Sequence, residues 1–589
     1  MTRTLHSLRI AAPLAALLLG ARVQAAPGDI QSQQIQREEQ RQQDMQQQLQ
    51  PNADVRLDET AGAGVAISPG SAHPPAAETP CFRIREIQLA GDAAGKFSFA
   101  LRQAVAQAGF VPGQCLGAQG INRIMVLAQN ALIGRGYTTT RILAAPQDLH
   151  SGVLVLTVLP GRIRQIRFET AQADATHVGR ITAFANEFPT GSGAILNLRD
   201  LEQGLENLKR LPTAEADIQI VPAEQPDESD IVVSWRQRTV PYRLSINVDN
   251  SGSKATGKYQ GSLTFSADNP LGLSDLFYAS FHHDLGHKDH PRSPSGQTVN
   301  SHTGGYAFHY SVPFGNWLWS WNHNYYRYHQ AVAGRIEVYD YNGSSSSSDI
   351  GFTRLLYRNA RRKTHLGFKL WQREAKSYID DAEIDVQRRK TAGWQLGLTH
   401  KEYFGRATLD AALNYKRGTG MADALRAPEE VFDEGTSRMR ILTADLGFNQ
   451  PFRLGKQAFA YDTRLHLQWN HTPLTPLDKL AIGGHYTVRG FDGEMSLSAE
   501  RGWYWRNDFI WQYHPQHQMY LGLDTGHVAG WSTQFQLGQN LTGAALGWRG
   551  QLNALGSLNY DLFIGRPLHK PEYFRTADTT IGFNLNYSF

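Results

Sequence analysis

Cysteine and long apolar stretches are both scarce in this chain. Beyond the first 25 residues, no uninterrupted apolar stretch approaches the roughly 20 residues that a membrane-spanning helix needs. Any membrane span must therefore be built from strands. The two cysteines, Cys81 and Cys115, have no His pair beside them and fall short of the four ligands of a structural zinc site, so no metal is predicted.

A dominant charge is missing as well. The 58 basic and 54 acidic residues leave a formal charge of only +4, which gives no reason to expect nucleic acid as a partner. No Walker motif or other phosphate-binding loop occurs, so no nucleotide or other cofactor is predicted. An enzyme is disfavoured because no Ser, His and Asp grouping shows a recognisable spacing.

The first 25 residues are typical of a secretory signal peptide. Two arginines precede the apolar run 10–21, and residues 23–25 offer small side chains at a cleavage position. A secreted chain reaches an oxidising compartment, so we expect Cys81 and Cys115 to form a disulfide. A plain soluble periplasmic protein remains the alternative at this point.

The next two segments differ in composition. Residues 26–50 are dominated by Gln, Glu and Arg and predict a helix with almost no apolar face. Its apolar residues are Ile30, Ile35, Met45 and Leu49. Such a helix gains little by packing on a dry core, so it is either disordered or placed in a wet, polar enclosure. Residues 51–80 are rich in Ala, Gly, Pro and Ser and predict a flexible linker.

Two tandem α+β units are predicted next, at residues 81–160 and 161–238. In each unit a strand, two helical stretches and two further strands follow one another, because the apolar spacing changes from that of a strand to that of a helix and back. In the second unit a helical stretch is predicted near Val178 to Asn186, and Leu198 to Leu211 predicts an amphipathic helix. Asp217 to Val221 predicts a strand.

From residue 239 to Phe589, strand alternation replaces helical spacing. Leu244, Ile246 and Val248, for example, alternate with polar residues. The polar face repeatedly carries Arg and Lys, which suits a water-filled lumen better than a β-sandwich. About 350 residues at roughly 22 per strand predict about 16 antiparallel strands. A barrel of that size leaks unless it is plugged, and this gives the polar helix of residues 26–50 a purpose.

Six short stretches, taken in their order along the chain, carry a resemblance to a known family. They are Pro80-Cys81-Phe82-Arg83-Ile84, Gly134-Arg135-Gly136-Tyr137, Asp249-Asn250-Ser251-Gly252, Asp268-Asn269-Pro270-Leu271-Gly272, Tyr310-Ser311-Val312-Pro313 and Val488-Arg489-Gly490-Phe491. Together they resemble the TpsB transporters of two-partner secretion, the haemolysin-activator type, over nearly the whole mature chain. The resemblance implies a transmembrane barrel of about 16 strands in the bacterial outer membrane, two periplasmic POTRA domains and a helix lodged in the pore.

The resemblance also implies a site inside the barrel. A loop at residues 480–500 would fold back into the lumen and carry a four-residue motif at its tip. The motif is Val488, Arg489, Gly490 and Phe491. Arg489 would pair with Asp524 on the barrel wall, and a buried guanidinium without a carboxylate would indeed be costly. Phe491 stands where many members of the family carry Tyr.

The function implied is export of a large partner exoprotein, a TpsA, without nucleotide hydrolysis. The cargo would be a haemolysin, an adhesin or a contact-dependent inhibition toxin, and the sequence leaves these open. Unfolded cargo would add to a strand edge in the second unit by β-augmentation. The candidate groove residues are Leu198, Leu201, Leu205, Leu208, Ile218 and Ile220. The other implied partners are outer-membrane lipid and the barrel-assembly machinery, which would recognise the C-terminal strand ending in Phe589. A monomer is expected.

The closest alternative is a barrel-assembly insertase, which shares POTRA domains and the arginine motif. Insertases usually carry more POTRA domains and lack a glutamine-rich pore helix, so secretion is favoured. A passive porin would not need the α+β units at residues 81–238.

Overall fold

The computed structural model describes residues 27–49, 54–57, 78–170, 186–293, 296 and 298–589. The predicted signal peptide, most of the predicted linker and nearly all of the helical stretch predicted near 178–186 lie outside these residues. Within the described ranges, no helix is both long and apolar enough to cross a membrane.

The N-terminal helix α1 is Pro27–Leu49, and the first α+β unit follows it. The elements of that unit are β1 (Phe82–Ile84), β2 (Glu86–Gly91), α2 (Ala94–Ala108), β3 (Gln114–Leu116), α3 (Ala118–Ile133), β4 (Arg141–Leu143) and β5 (Val153–Leu159). Strand β5 lies between β2, which is parallel to it, and β4, which is antiparallel. Helices α2 and α3 cover this sheet and bury Phe97, Ile124 and Leu156 in one core.

The second α+β unit repeats this arrangement. Its elements are β6 (Arg162–Thr170), α4 (Leu198–Lys209), β7 (Ala214–Pro222) and β8 (Glu228–Gln237). The sheet order is β6-β8-β7, with β6 parallel and β7 antiparallel to β8. Helix α4 begins after Asn197, whose side chain accepts a hydrogen bond from the Arg199 N–H and so caps the helix.

The remaining strands belong to the barrel and its loops. They are β9 (Tyr242–Asp249), β10 (Tyr259–Asp268), β11 (Leu276–Gly286), β12 (His302–Phe314), β13 (Trp317–Ala333), β14 (Val338–Arg358), β15 (Arg362–Ile379), β16 (Ala382–Glu383), β17 (Arg389–Phe404), β18 (Ala407–Thr419), β19 (Arg440–Leu454), β20 (Gln457–Asn470), β21 (Leu480–Ile482), β22 (Leu497–Ala499), β23 (Arg501–His514), β24 (His517–Ala529), β25 (Asn540–Asn553), β26 (Ser557–His569) and β27 (Thr580–Ser588). Short 3₁₀ helices lie at Leu149–Ser151, Asp385–Gln387, Met421–Asp423, Pro428–Phe432, Pro476–Asp478 and Trp531–Phe535.

The barrel closes between its first and last strands, because β27 pairs with β9. In the described residues it is a 16-stranded antiparallel barrel, as predicted. The two-residue strand β16 only extends the edge of β15, and β21 pairs with β22 inside a loop. Alternation places Leu244 and Phe265 outward and exposed, whereas Asn247 and Thr264 point inward and are buried. The apolar face is therefore the outer surface.

The first α+β unit differs from its prediction in two details. The prediction has one strand at the start of this unit, but the structure has two, β1 and β2. Arg85 between them donates its N–H to the Gly152 carbonyl at 2.7 Å. Strand β3 was not predicted at all. It pairs with β1, 30 or more positions earlier in the chain, and short-range periodicity carries no signal of such a long-range pair.

The predicted disulfide is confirmed, since Cys81 and Cys115 are bonded with their Cα atoms 5.5 Å apart. It closes a loop of 34 positions across the β1–β3 pair. Replacing both cysteines by serine is expected to destabilise the first unit by ~3 kcal/mol, because the unfolded chain regains loop entropy. Limited proteolysis of the full-length protein should then cut within residues 81–160 first. Equal protease resistance in the two proteins would contradict this.

Candidate functional site

Arg489 lies at the tip of the loop between β20 and β23, residues 471–500, which we call the lumen loop. Its backbone N–H and its Nε donate to Asp524 Oδ2 at 3.0 and 2.7 Å, and Nη2 donates to Asp524 Oδ1 at 2.8 Å. The Arg489 side chain is 3% exposed and that of Asp524 1%. A bidentate pair of this kind offsets much of the cost of burying both charges.

A second carboxylate completes this cluster. Arg489 Nη2 also donates to Asp508 Oδ1 at 2.5 Å, and Asp508 lies on β23 beside β24, the strand that carries Asp524. Asp508 was missed in the sequence. The signal was present, because Tyr504, Arg506 and Asp508 alternate with outward-facing Trp and Phe residues, and a period of two places all three in the lumen.

The loop backbone approaches the wall closely because glycines face each other there. Gly490 has φ +100°, and a Cβ at this position would meet the Arg566 carbonyl oxygen at 2.5 Å. A Cβ on Gly565 would lie 2.9 Å from the Gly490 Cα. Only glycine adopts this backbone freely and leaves room for the contact. These glycines let the arginine next to them reach the wall.

Apolar packing fixes the rest of the motif. Val488 and Phe491 are buried in a cluster with residues of β21, β22, β24 and β25, and Phe491 meets Phe574 edge to face at 5.8 Å between ring centroids. Phe491 is 2% exposed and lies among apolar side chains, so a ring without a hydroxyl group fits this position. The loop is therefore held by charge at Arg489 and by apolar contact on both sides of it.

Helix α1 lies inside the barrel. Gln34 Nε2 donates to Gln330 Oε1 at 3.4 Å, and Gln36 Nε2 donates to the Lys479 carbonyl at 2.9 Å. Arg37 Nη2 donates to the Gly493 carbonyl at 2.6 Å, so the helix also touches the lumen loop. Amide side chains suit this polar enclosure, because they form hydrogen bonds with wall and loop groups that the helix shields from water.

The four apolar residues of α1 are all buried against the wall. Ile30 packs among tyrosines of β13 and β14, Ile35 against Ala375 and Leu477, and Met45 with Leu49 against Tyr278. Each finds a separate small patch, which explains why the sequence shows no continuous apolar face.

Helix α4 of the second unit docks on one end of the barrel. Asn207 Nδ2 donates to the Gly315 carbonyl at 2.8 Å, and Arg210 Nη1 donates to the Ser274 carbonyl at 2.9 Å. Gly315 and Ser274 lie in turns between barrel strands. We call this end of the barrel the proximal end and the opposite end, from which the lumen loop enters, the distal end.

This docking changes the interpretation of the groove predicted from the sequence. The predicted leucines of α4 are 0–1% exposed, and all but the first of them lie in the core of the second unit. They are Leu198, Leu201, Leu205 and Leu208. They hold the helix and do not form the surface of a groove. Ile218 and Ile220 are half-buried on β7, which is the edge strand of its sheet in the described residues.

Residues 54–57, inside the predicted flexible linker, form an ordered contact that we call the tether. Arg358, at the proximal end of β14, donates to Glu202 Oε2 at 3.0 Å, to Glu206 Oε2 at 2.8 Å and to the Val55 carbonyl. Lys363 on β15 binds Glu206 and Asp54 of the tether at 2.7 and 2.6 Å. The tether, α4 and the barrel rim therefore meet at one charged junction.

Burial raises the pKa of Glu187, in the same interface, to about 7. Its carboxyl accepts a hydrogen bond from Ser274 Oγ at 2.6 Å. Docking keeps this group protonated, so its contribution is complete below pH 4.5 and is lost as the pH rises through about 7. We expect hydrogen exchange at residues 186–189 to quicken over this range after correction for intrinsic rates. Glu187→Gln should abolish that dependence, and an unchanged pH profile in this variant would contradict the assignment.

Phe589 ends the chain beside the barrel seam. Its N–H donates to the Leu244 carbonyl of β9 at 3.0 Å, and its ring meets Tyr587 edge to face. Its role in recognition by an assembly machinery stays a prediction. In the described part of the chain, no group of three His, Cys, Asp or Glu residues is arranged to hold a metal ion.

Comparison with known proteins identifies the family. A family model described as haemolysin secretion/activation protein ShlB/FhaC/HecB matches residues 227–550. The chain belongs to this family. Two further models match the α+β units: a ShlB-type POTRA domain at residues 82–161 and a POTRA domain at residues 162–222. We therefore call the units POTRA1 and POTRA2.

Similar proteins of this family include named transporters. The chain is 35% identical to outer membrane transporter CdiB-2 of Burkholderia pseudomallei (strain 1026b) over 529 residues, 87% of either protein. CdiB from Acinetobacter baumannii superposes with a TM-score of 0.80 at 29% identity, over 97% of this chain and 100% of that one. CdiB from Escherichia coli gives 0.77 at 25% identity, with the same coverage.

The barrel and the POTRA domains place this protein in the outer membrane, with POTRA1 and POTRA2 in the periplasm. The proximal end of the barrel is therefore the periplasmic end. The lumen loop enters from the outer end, and α1 runs from Ile30 near that end to Leu49 near the periplasm.

Proposed function

We propose that this protein exports an unfolded partner exoprotein, a TpsA, through its barrel, with Arg489, Asp508 and Asp524 holding the lumen loop closed between export events. The barrel is large enough to pass a polypeptide, and its lumen is obstructed by two separate elements, α1 and the lumen loop. This observation carries the proposal. Both elements are held largely by side-chain contacts that can be broken without unfolding the wall. A passive pore has no need of either element.

The same contacts favour a transporter over an insertase. Arg37 of α1 bonds the Gly493 carbonyl of the lumen loop, so the helix and the loop close the lumen together. A barrel-assembly insertase, the alternative, would not need a glutamine-rich helix inside the pore. Proteins similar to this chain are named outer membrane transporter CdiB-2 and hemolysin transporter protein HpmB, so we propose a large secreted toxin, such as a haemolysin, as the cargo.

The test is secretion of a large exoprotein of the TpsA type that is expressed together with this protein. Cells carry the wild-type protein or a variant lacking residues 82–222, and the barrel level in the outer membrane is measured for both. Exoprotein retained in the periplasm by the variant, at a normal barrel level, is the expected result. If export is unchanged and other outer-membrane barrels fail to assemble, the protein is an insertase.

Cargo recognition is proposed at the edge of β7. Residues Asp217 to Val221 offer backbone groups on a strand that has β8 on one side only among the described residues, and an extended chain can add there. A cysteine at the exposed Gln219, modified with a bulky maleimide, should slow secretion. The matched control is the same modification at the exposed Lys209 at the end of α4. Equal secretion from both would exclude this edge.

A further inference from the structure

The lumen is divided unequally by helix α1. Its buried side packs on one half of the wall: Met45 Sδ lies 3.4 Å from Ser280 Oγ on β11, and Ile35 contacts Ala375 on β15. In the periplasmic half of the helix, Gln43 and Gln47 are exposed. The helix is therefore off-centre and leaves water on its other side.

Two adjoining cavities lie in the other half of the lumen. One, of about 700 Å³, is lined mainly by β17 to β20, and the other, of about 730 Å³, by β20 and β23 to β27. Both are bordered by Asp44 of α1, by Arg464 of β20 and by Tyr486 of the lumen loop. Since they share these walls, we treat them as one space, which we call the side chamber.

The side chamber opens towards the periplasm and ends at the lumen loop. Its lining begins at the periplasmic ends of the strands, at Lys363 in one cavity and at Gln516 and Gln551 in the other. At the top it reaches Tyr486 and Arg489 of the lumen loop. Glu206 of POTRA2 and Asp54 of the tether border the first cavity beside Lys363. POTRA2 makes other contacts under the opposite half, on the turns that follow β10 and β12.

We propose that the exported polypeptide enters the barrel through the side chamber as a single extended strand while α1 is still in place. The first barrier that it meets is then the lumen loop and not the helix. This inference rests on the proposed function and adds the route and the order of opening to it.

The volume of the side chamber fits one strand. An extended chain is roughly 5 Å by 10 Å in section, so six residues spanning about 20 Å need roughly 1,000 Å³. The two cavities together exceed this volume.

The lining also suits a passing chain of any sequence. Asn449 and Asp462 on the wall face Gln43 and Gln47 of the helix across the chamber. Amide and carboxylate groups bond a peptide backbone but gain little net free energy over water. The chamber can therefore hold the cargo backbone without trapping it.

In the experiment α1 is bridged to the barrel wall, and the position of the cargo is measured by photo-crosslinking. Met45→Cys and Ser280→Cys are joined by a short bis-methanethiosulfonate bridge, which a reductant cleaves. A photo-crosslinking amino acid replaces Asn449 in the side chamber or, as the matched control, Asn324, which lines a cavity of only about 210 Å³ on the packed side of α1. A TpsA-type exoprotein is expressed together with each variant, and adducts are counted before and after reduction.

The expected result is an undiminished adduct at Asn449 in the bridged protein and loss of the adduct at Asn324 until the bridge is cleaved. Loss of the Asn449 adduct in the bridged protein, with its return and renewed secretion after cleavage, would overturn the inference and leave the proposed function intact. No adduct at either position in either state, with exoprotein accumulating in the periplasm, would overturn both.

Discussion

Replacing Arg489 with alanine is expected to stop export while the barrel still reaches the outer membrane. The substitution removes the two side-chain hydrogen bonds to Asp524 and the one to Asp508, and only the backbone N–H bond to Asp524 can remain. Two carboxylates then lie beside each other, with Asp524 fully buried, and breaking a buried pair in this way costs ~3–5 kcal/mol. Most of this cost falls on the closed position of the lumen loop, so the loop no longer returns to it.

Secretion of the exoprotein and thermal unfolding of the purified barrel measure this effect. Asp524→Asn should impair secretion more than Asp508→Asn, because Asp524 accepts three bonds from Arg489 and Asp508 only one. The matched control is Arg453→Ala, at an exposed position on the periplasmic end of β19. Normal secretion from the Arg489 variant at a normal barrel level would show that the cluster only stabilises the loop and takes no part in transport.

The barrel could be predicted because it depends on short-range order in the sequence. A period of two gave the outward and inward faces, and the length gave the number of strands. Asp524 came from the family resemblance and not from spacing. The same alternation predicts that Asp508 faces the lumen. One carboxylate already balances the charge of Arg489, however, so the sequence gives no reason to expect a second carboxylate beside it.

The α4 leucines show where periodicity fails. Their spacing correctly predicts an amphipathic helix, but it does not say what covers the polar face. Glu202, Gln203 and Glu206 on that face are buried by the barrel rim, more than 150 positions later in the chain. A contact of this range leaves no local pattern. The sequence alone therefore predicts that the helix lies at the surface of a groove.

Composition was similarly a poor guide to residues 54–57. The Ala, Gly, Pro and Ser around them predict flexibility, but Asp54-Val55-Arg56-Leu57 interrupts that composition with two charged and two apolar residues. Asp54 binds Lys363, and Val55 and Leu57 pack on the POTRA2 core. A short run that differs from a low-complexity background is a usable signal for an anchor point.

Replacing Arg358 with alanine is expected to release the plug and open a leak. The Arg358 side chain is 2% exposed and joins three parts of the protein: the barrel rim, Glu202 and Glu206 of POTRA2, and the tether through Val55. Its loss leaves Glu202, fully buried, with Arg199 as its remaining ion-pair partner. Because the tether follows directly on α1, weakening the junction by ~3 kcal/mol or more also loosens the periplasmic end of the helix.

Entry of a large antibiotic that the intact outer membrane excludes measures the leak, and spin labels on α1 and on the wall measure the position of the helix. Arg361→Ala is the matched control, because Arg361 is exposed and lies in the turn that follows β14. The control should remain as tight as the wild-type protein. An Arg358 variant that stays tight with α1 in place would mean that the wall contacts of Ile30, Ile35 and Met45 hold the helix without the junction. Closure of the pore would then be independent of POTRA2, and cargo arriving at POTRA2 would have no mechanical route to the plug.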